Sequence, residues 1–282
     1  MMKAIIRYPG SKWALASWIV DHFPEGYEKM LYVEPFFGSG AVFFNKLPGK
    51  VETINDIDGE VVNLFRVIRD NPDELKRLLH YTPYSREEYN NAFAWCAEPI
   101  ERARRFCVRT TQSIGAKLGS KSGWRNHKQL KIRGTACKWG SICDTIDIAA
   151  ERLRGDASHL VMIENKDALQ LIGEYNSPEV LLYLDPPYVR STRKGGRIYK
   201  YEMTDRQHEV MLDALKSSKA KILLSGYECD LYDNALPGWH KSSKITHTTA
   251  ATEAVETIWM NYQPKERQET FFEDGGTAHE PD

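Results

Sequence analysis

Cysteine is sparse in this 282-residue chain. The five present, Cys96, Cys107, Cys137, Cys143 and Cys229, are odd in number and form no CxxC pair. Neither a disulfide framework nor a cysteine zinc site is expected, and reduced thiols are the default. The histidines are scattered, so no metal centre is expected either. No segment approaches the roughly 20 consecutive apolar residues that a membrane span needs. The N-terminal stretch MMKAIIRYPGSKWALASWIV is interrupted by Arg7, Pro9, Gly10 and Lys12, and lacks the continuous apolar region of a signal peptide. The expectation is a soluble, cytoplasmic protein with no membrane partner. Nothing in the sequence specifies an oligomer, and a monomer is the default.

Acidic residues are missing from Arg102 through Cys143, where Arg102, Arg104, Arg105, Arg109, Lys117, Lys121, Arg125, Lys128, Lys131, Arg133 and Lys138 lie among Gly, Ser, Thr, Trp124 and Trp139. Such a run is commonly a solvated face. In a chain whose net charge is −1, so one-sided a stretch points instead to phosphate binding. The tail beyond Pro264 has the opposite bias, with Glu266, Glu269, Glu273, Asp274, Glu280 and Asp282, and is expected to be disordered.

Short apolar runs alternate with helical patterns on either side of that stretch, as in an α/β sheet. Strands are expected at 31–36, 51–57, 159–165, 180–187, 221–227 and 253–263. Helices are expected at 38–47, after a turn, at 59–70, in KDALQLIGEY and at 205–218. The organisation that follows is a discontinuous catalytic domain, 1–81 with 155–263, an inserted basic segment, 82–154, and a tail, 264–282.

Four constellations carry chemistry. In EPFFGSG a strand enters a glycine turn, where Gly38 and Gly40 allow backbone to approach a ligand. Phe43 occupies the place of the third glycine of GxGxxG, and no GK[ST] follows, which excludes a P-loop. A nucleoside site and a plain strand-to-helix turn both fit. Asp56 ends the next strand, where a carboxylate can bond ribose hydroxyls; the competing role is a helix N-cap, for which Asp58 is the rival. RYPGSK presents Tyr8 and Lys12 around Pro9-Gly10, or is an ordinary turn.

The fourth is LLYLDPPY. A buried apolar strand delivers Asp185, Pro186, Pro187 and Tyr188 to its carboxyl end, where open α/β sheets bind ligands. Consecutive prolines stiffen the backbone. The Asp185 carboxylate and Pro186 carbonyl are two acceptors beside the Tyr188 ring, suited to a heterocyclic amine. Acceptors on the amine hydrogens free its lone pair for attack and stabilise the positive charge that grows on methylation. The following loop, with Arg190, Arg193, Lys194, Arg197 and Lys200, either grips phosphates or is a mobile surface loop.

Together these motifs resemble the Dam-type (D12 class) DNA adenine-N6 methyltransferases over most of residues 4–262. RYPGSK is similar to the family's cofactor motif, VEPFFGSGAVFF to its S-adenosylmethionine motif, INDID to its acidic strand end, LDPPY to its catalytic motif and ETIWMNY, with Glu256, Trp259 and Asn261, to its closing element. The resemblance implies a Rossmann-like methyltransferase sheet with an inserted, mostly helical DNA-recognition domain. It also implies S-adenosylmethionine as methyl donor, double-stranded DNA as substrate and an adenine flipped out of the stack. By the same resemblance Tyr8, Gly10, Lys12, Glu34, Pro35, Phe36, Gly38, Gly40, Asp56, Asp167 and Asp185 would meet the cofactor. Arg109, Gln112, Lys117, Arg125, Asn126, Arg190, Arg193 and Arg197 are the candidates for DNA contact. The chain departs from the family pattern at Ala168, where Asp-Phe is common, and at Tyr8, where tryptophan is common. RNA or cytosine N4 as the target, and a DNA-binding protein without turnover, are the alternatives.

Overall fold

The computed structural model describes residues 2, 4–116, 121–126, 139, 142–192, 198–247 and 253–264. Its strands are β1 (Leu31–Glu34), β2 (Val51–Asn55), β3 (Leu160–Glu164), β4 (Val180–Leu184), β5 (Lys221–Tyr227), β6 (His240–His247) and β7 (Glu253–Met260). They form one sheet in the order β3-β2-β1-β4-β5-β7-β6. The first five positions pair in parallel, and β7 runs antiparallel to both of its neighbours. The order reverses direction at β1, with β2 on one side and β4 on the other, which opens a crevice at the carboxyl ends of these strands.

The apolar run of β4 is explained by cover on both faces. Leu181 and Tyr183 enter one core with Tyr32, Ile54 and Phe65. Val180, Leu182 and Leu184 enter a second with Val33, Ile222, Leu224 and Trp259. Alternate side chains of a strand point to opposite faces, so a strand covered twice has no polar side. Helices α1 (Ala16–Val20), with Trp18 and Ile19, and α2 (Gly59–Asp70), with Val61, Leu64, Phe65 and Ile68, belong to the first core, and Met211, Leu212 and Leu215 of Asp205–Ser217 cover the second face.

Within the inserted segment, helices Arg86–Asn91, Pro99–Gln112 and Cys143–Arg154 are formed. The last two are not separate from the main core. Phe106, Cys107, Ile146, Ala149 and Leu153 share it with Phe65. Arg152 and His159 both bind the fully buried Glu52 of β2, at 2.5 and 2.6 Å. A smaller cluster of Tyr89, Ala92 and Val108, with Trp124 and Trp139 against it, lies apart.

Two expectations need correction. Residues 38–47 form successive hydrogen-bonded turns instead of a regular helix. Gly40 N–H bonds Phe37 O, Phe44 N–H bonds Gly40 O, and Asn45 and Lys46 both bond Val42 O. Mixed three- and four-residue closures, with Pro48 just beyond, prevent the ladder from propagating. Strand β6 was not expected, because HKSSKITH is polar: it is an edge strand whose support is the ladder to β7. Among the described residues, no helix is long and apolar enough to cross a membrane.

Candidate active site

A cleft of about 640 Å³, counted with the solvent space at its open mouth, lies at the carboxyl ends of β1, β2 and β4. Three separated segments, RYPGSK, EPFFGSG and the DPPY motif, meet at its walls. The first two are pinned together: Ser11 Oγ lies 2.8 Å from Ser39 Oγ, and Trp13 Nε1 donates to Ser39 Oγ at 3.2 Å. Gly38 and Gly40 both have positive φ, +51° and +68°. A Cβ on Gly38 would meet the Tyr8 ring at 3.0 Å, and one on Gly40 would meet Phe37 at 2.6 Å. The turn is therefore glycine-dependent in conformation and in space, and it keeps backbone against the cleft.

Asp56 faces this turn. Its carboxylate accepts Gly38 N–H at 2.9 Å and Asp58 N–H at 2.8 Å. The cap of α2 is Asp58, which accepts Glu60 N–H at 3.1 Å, so Asp56 is released from that task. Burial raises the Asp56 carboxyl to about 7, with the two N–H bonds opposing the shift. Each oxygen keeps a lone pair for a hydroxyl donor. Glu34, at the end of β1, accepts Tyr32 O–H at 2.7 Å, and burial raises it to about 8, so it is largely protonated at neutral pH.

The DPPY end of β4 is held by a buried charge cluster. Lys12 Nζ lies 2.9 Å from Asp185 Oδ1, 3.2 Å from Glu256 Oε1 and 2.9 Å from Gly10 O, and also donates to Tyr188 Oη. Ser225 Oγ donates to the same Asp185 oxygen at 3.0 Å. Burial alone would lower the Lys12 pKa, but Asp185 and Glu256 reverse the shift and hold the ammonium charged. Burial also raises the Asp185 pKa; Lys12 opposes that rise and Glu256 adds to it. Tyr188 is 5% exposed, donates to Glu256 and packs on Tyr227 with centroids 4.5 Å apart. Asp185 and Pro187 line the cleft, and Pro186 between them is buried.

Other candidates are placed as follows. Glu34, Phe36, Gly10, Gly38, Tyr8 and Lys12 line the cleft. Pro35 accepts Asn55 Nδ2 through its carbonyl at 2.9 Å. Gly40 shapes the turn from behind. Asp167 is exposed, caps the helix Ala168–Glu174 through Leu169 N–H at 2.8 Å, and lies outside the cleft lining. Arg109 pairs with Glu60 at 2.7 Å. Gln112 is fully buried and accepts Trp124 Nε1 at 3.1 Å. The Arg125 guanidinium bonds Ser113 O at 3.3 Å. Asn126 and Arg190 are exposed. Lys117, Arg193 and Arg197 lie outside the described residues.

Space changes the reading of the acid-free stretch. Arg102, Arg104, Arg105 and Arg109 are all matched by Glu60, Glu88 and Glu101, which precede the stretch in sequence. Three residues given no site role from sequence also belong here. Ser225 supports Asp185. Tyr199 and Tyr201, from the loop after DPPY, line the cleft together with Lys200, the expected phosphate-gripping residue, which binds Asp58 at 2.8 Å. The signal available for Ser225 was a hydroxyl inside a buried apolar strand.

The sequence model of D12 class N6 adenine-specific DNA methyltransferases matches residues 8–109 and 142–254. A type II methyltransferase, M1.LlaDCHI of Lactococcus lactis subsp. cremoris, is 37% identical over 235 residues, covering 78% of each chain. A DNA adenine methylase of Salmonella typhimurium is 30% identical over 114 residues, 36% of this chain and 37% of that one. Among solved structures, an rRNA methyltransferase, aviRa of Streptomyces viridochromogenes, aligns over 92% of this chain and 90% of that one at 13% identity, with a TM-score of 0.40. With a family match across both halves of the chain and a close relative along most of its length, the protein belongs to the D12 class N6 adenine-specific DNA methyltransferases.

Proposed function

We propose that the cleft binds S-adenosylmethionine and that Asp185 and the Pro186 carbonyl receive the N6 amino group of an adenine flipped out of duplex DNA. The observation carrying this reading is the Asp185 carboxylate at the cleft wall, with Oδ1 bound by Lys12 and Ser225 and no partner on Oδ2 among the described residues. The donor set suits the cofactor. Asp56, already oriented by two backbone N–H groups, accepts ribose hydroxyls, and Gly38 packs too closely on the Tyr8 ring to carry a side chain, which leaves bare backbone at the cleft wall. When bound, S-adenosylmethionine would supply the methyl group from its sulfonium, the S–CH3 bond breaking as the N6–CH3 bond forms and S-adenosylhomocysteine leaving as a neutral thioether.

Asp185 draws on one N6 hydrogen and Pro186 on the other, which favours a tetrahedral nitrogen with an available lone pair. Nitrogen becomes positive as its new bond forms, and the ionised Asp185 stabilises that charge. One proton then leaves N6 for solvent. Tyr188 stacks its ring on the flipped base. Phosphate contacts come from Arg190, Arg193 and Arg197, and base contacts from the insert around Lys117, Arg125 and Asn126. The protein acts as a monomer in the cytoplasm.

The test is incubation of the protein with unmethylated duplex DNA and methyl-labelled S-adenosylmethionine, then nucleoside analysis and mapping of the label. Label in N6-methyladenine at one short sequence is expected. Label in N4-methylcytosine or only in RNA would overturn the substrate, and absence of label despite cofactor binding would leave a silent DNA-binding protein.

A further inference from the structure

We infer that Glu256, on β7, is a positioning residue for methyl transfer: through Lys12 and Tyr188 it leaves the buried cluster around Asp185 with a net negative charge facing N6. This rests on the assignment of Asp185 as the acceptor of the N6 amino group.

Glu256 does not line the cleft, so it acts through its neighbours. It is 4% exposed, and Lys12 is 3% exposed. The ammonium lies 2.9 Å from Asp185 and 3.2 Å from Glu256, so one positive charge is shared by two carboxylates. With Asp185 alone, Lys12 would cancel the field of the catalytic carboxylate and oppose the charge growing on N6. With Glu256 added, a negative charge remains. Low-dielectric surroundings make that difference large compared with the same charges in water. Geometry reinforces the role. Glu256 sits in the centre of three antiparallel strands, opposite Tyr227 on one side and Lys244 on the other. It accepts the Tyr188 hydroxyl, and Tyr227 packs on the Tyr188 ring. One side chain on a rigid strand thus fixes both the charge balance and the orientation of the last residue of DPPY.

Asp185 also faces Glu34 at the end of β1 and the phenols of Tyr8, Tyr183, Tyr188, Tyr227 and Tyr232, each of which burial raises above the ordinary tyrosine value. Removing the Glu256 charge makes Asp185 easier to ionise. The acid limb of the pH–rate profile therefore moves to lower pH, a readout that a purely structural role would not move.

The experiment compares the full-length wild type with E256Q and E256D in single-turnover methylation of duplex DNA, with titrations of cofactor and DNA and thermal unfolding alongside. E256Q is expected to bind both ligands within about threefold of wild type, to transfer methyl on the order of tenfold more slowly and to show the acid limb shifted down. E256D, which keeps the charge, is expected to recover most of the rate, and carries the comparison if E256Q does not fold. Equal loss in E256Q and E256D, or a wild-type rate in E256Q, or an unmoved acid limb, overturns the inference. Failure of the wild type to methylate adenine overturns the underlying assignment instead.

Discussion

Lys12 and Asp185 form an ion pair at 2.9 Å between the first turn of the chain and the end of the fourth strand. The pair joins the cofactor motif to the catalytic motif, so the two half-sites cannot move independently. D185N keeps the side-chain size but removes the acceptor charge, and leaves Lys12 facing only Glu256. Single-turnover methyl transfer is expected to fall by roughly 10²–10³-fold, while the protein stays folded. Wild-type turnover in D185N would remove Asp185 from the mechanism.

Burial raises the Asp56 carboxyl, proposed above to accept the ribose hydroxyls, to about 7. The ionised form is the better acceptor, so cofactor affinity should weaken as pH falls through about 7. D56N should bind S-adenosylmethionine on the order of tenfold more weakly at pH 8 and lose most of that pH dependence. Isothermal titration at several pH values reads both effects, with KM for the cofactor rising more than kcat falls.

Glu34 carries a stability signature. Its ordinary carboxyl value is 4.5 and its folded value is about 8. The native state therefore holds a proton that the unfolded chain releases. The associated stabilisation is complete below about pH 4.5 and is lost as pH rises towards 8. E34Q retains an acceptor for Tyr32 and should flatten this dependence, gaining on the order of 1–3 kcal/mol over wild type at pH 8.5. Urea unfolding at pH 6 and pH 8.5 makes the comparison.

Arg109 and Arg190 should separate when each is neutralised. Arg109 is joined to Glu60 and docks its helix on α2, so R109M should lower stability by roughly 1–3 kcal/mol and change the salt dependence of DNA binding little. Arg190 is exposed beside the catalytic motif. R190M should leave the unfolding midpoint unchanged and reduce the slope of log K against log salt by about one.

Much of the fold is written locally. Period-two exposure is absent from VLLYL because both faces are covered, and that absence is visible in the sequence. Helix α2 follows from its apolar spacing and from Asp58 as its cap. Edge strand β6 is not legible, since its residues gain little from burial and form a strand only because β7 offers a ladder. The turns after Gly40 look helical in sequence because apolar periodicity carries no information on whether the hydrogen-bond ladder continues.

At the site, the sequence by itself determined which residue types are present and where strands deliver them: Gly38 and Gly40 after β1, Asp56 after β2 and Asp185 after β4. These are short-range facts, set by strand periodicity and turn chemistry. Tertiary structure alone decided their partners. It brought Lys12 and Glu256 to Asp185, matched Arg102, Arg104, Arg105 and Arg109 with Glu60, Glu88 and Glu101, and laid Tyr199 to Tyr201 along the cleft. Electrostatic interaction depends on distance in space and on burial, and neither is a function of separation along the chain.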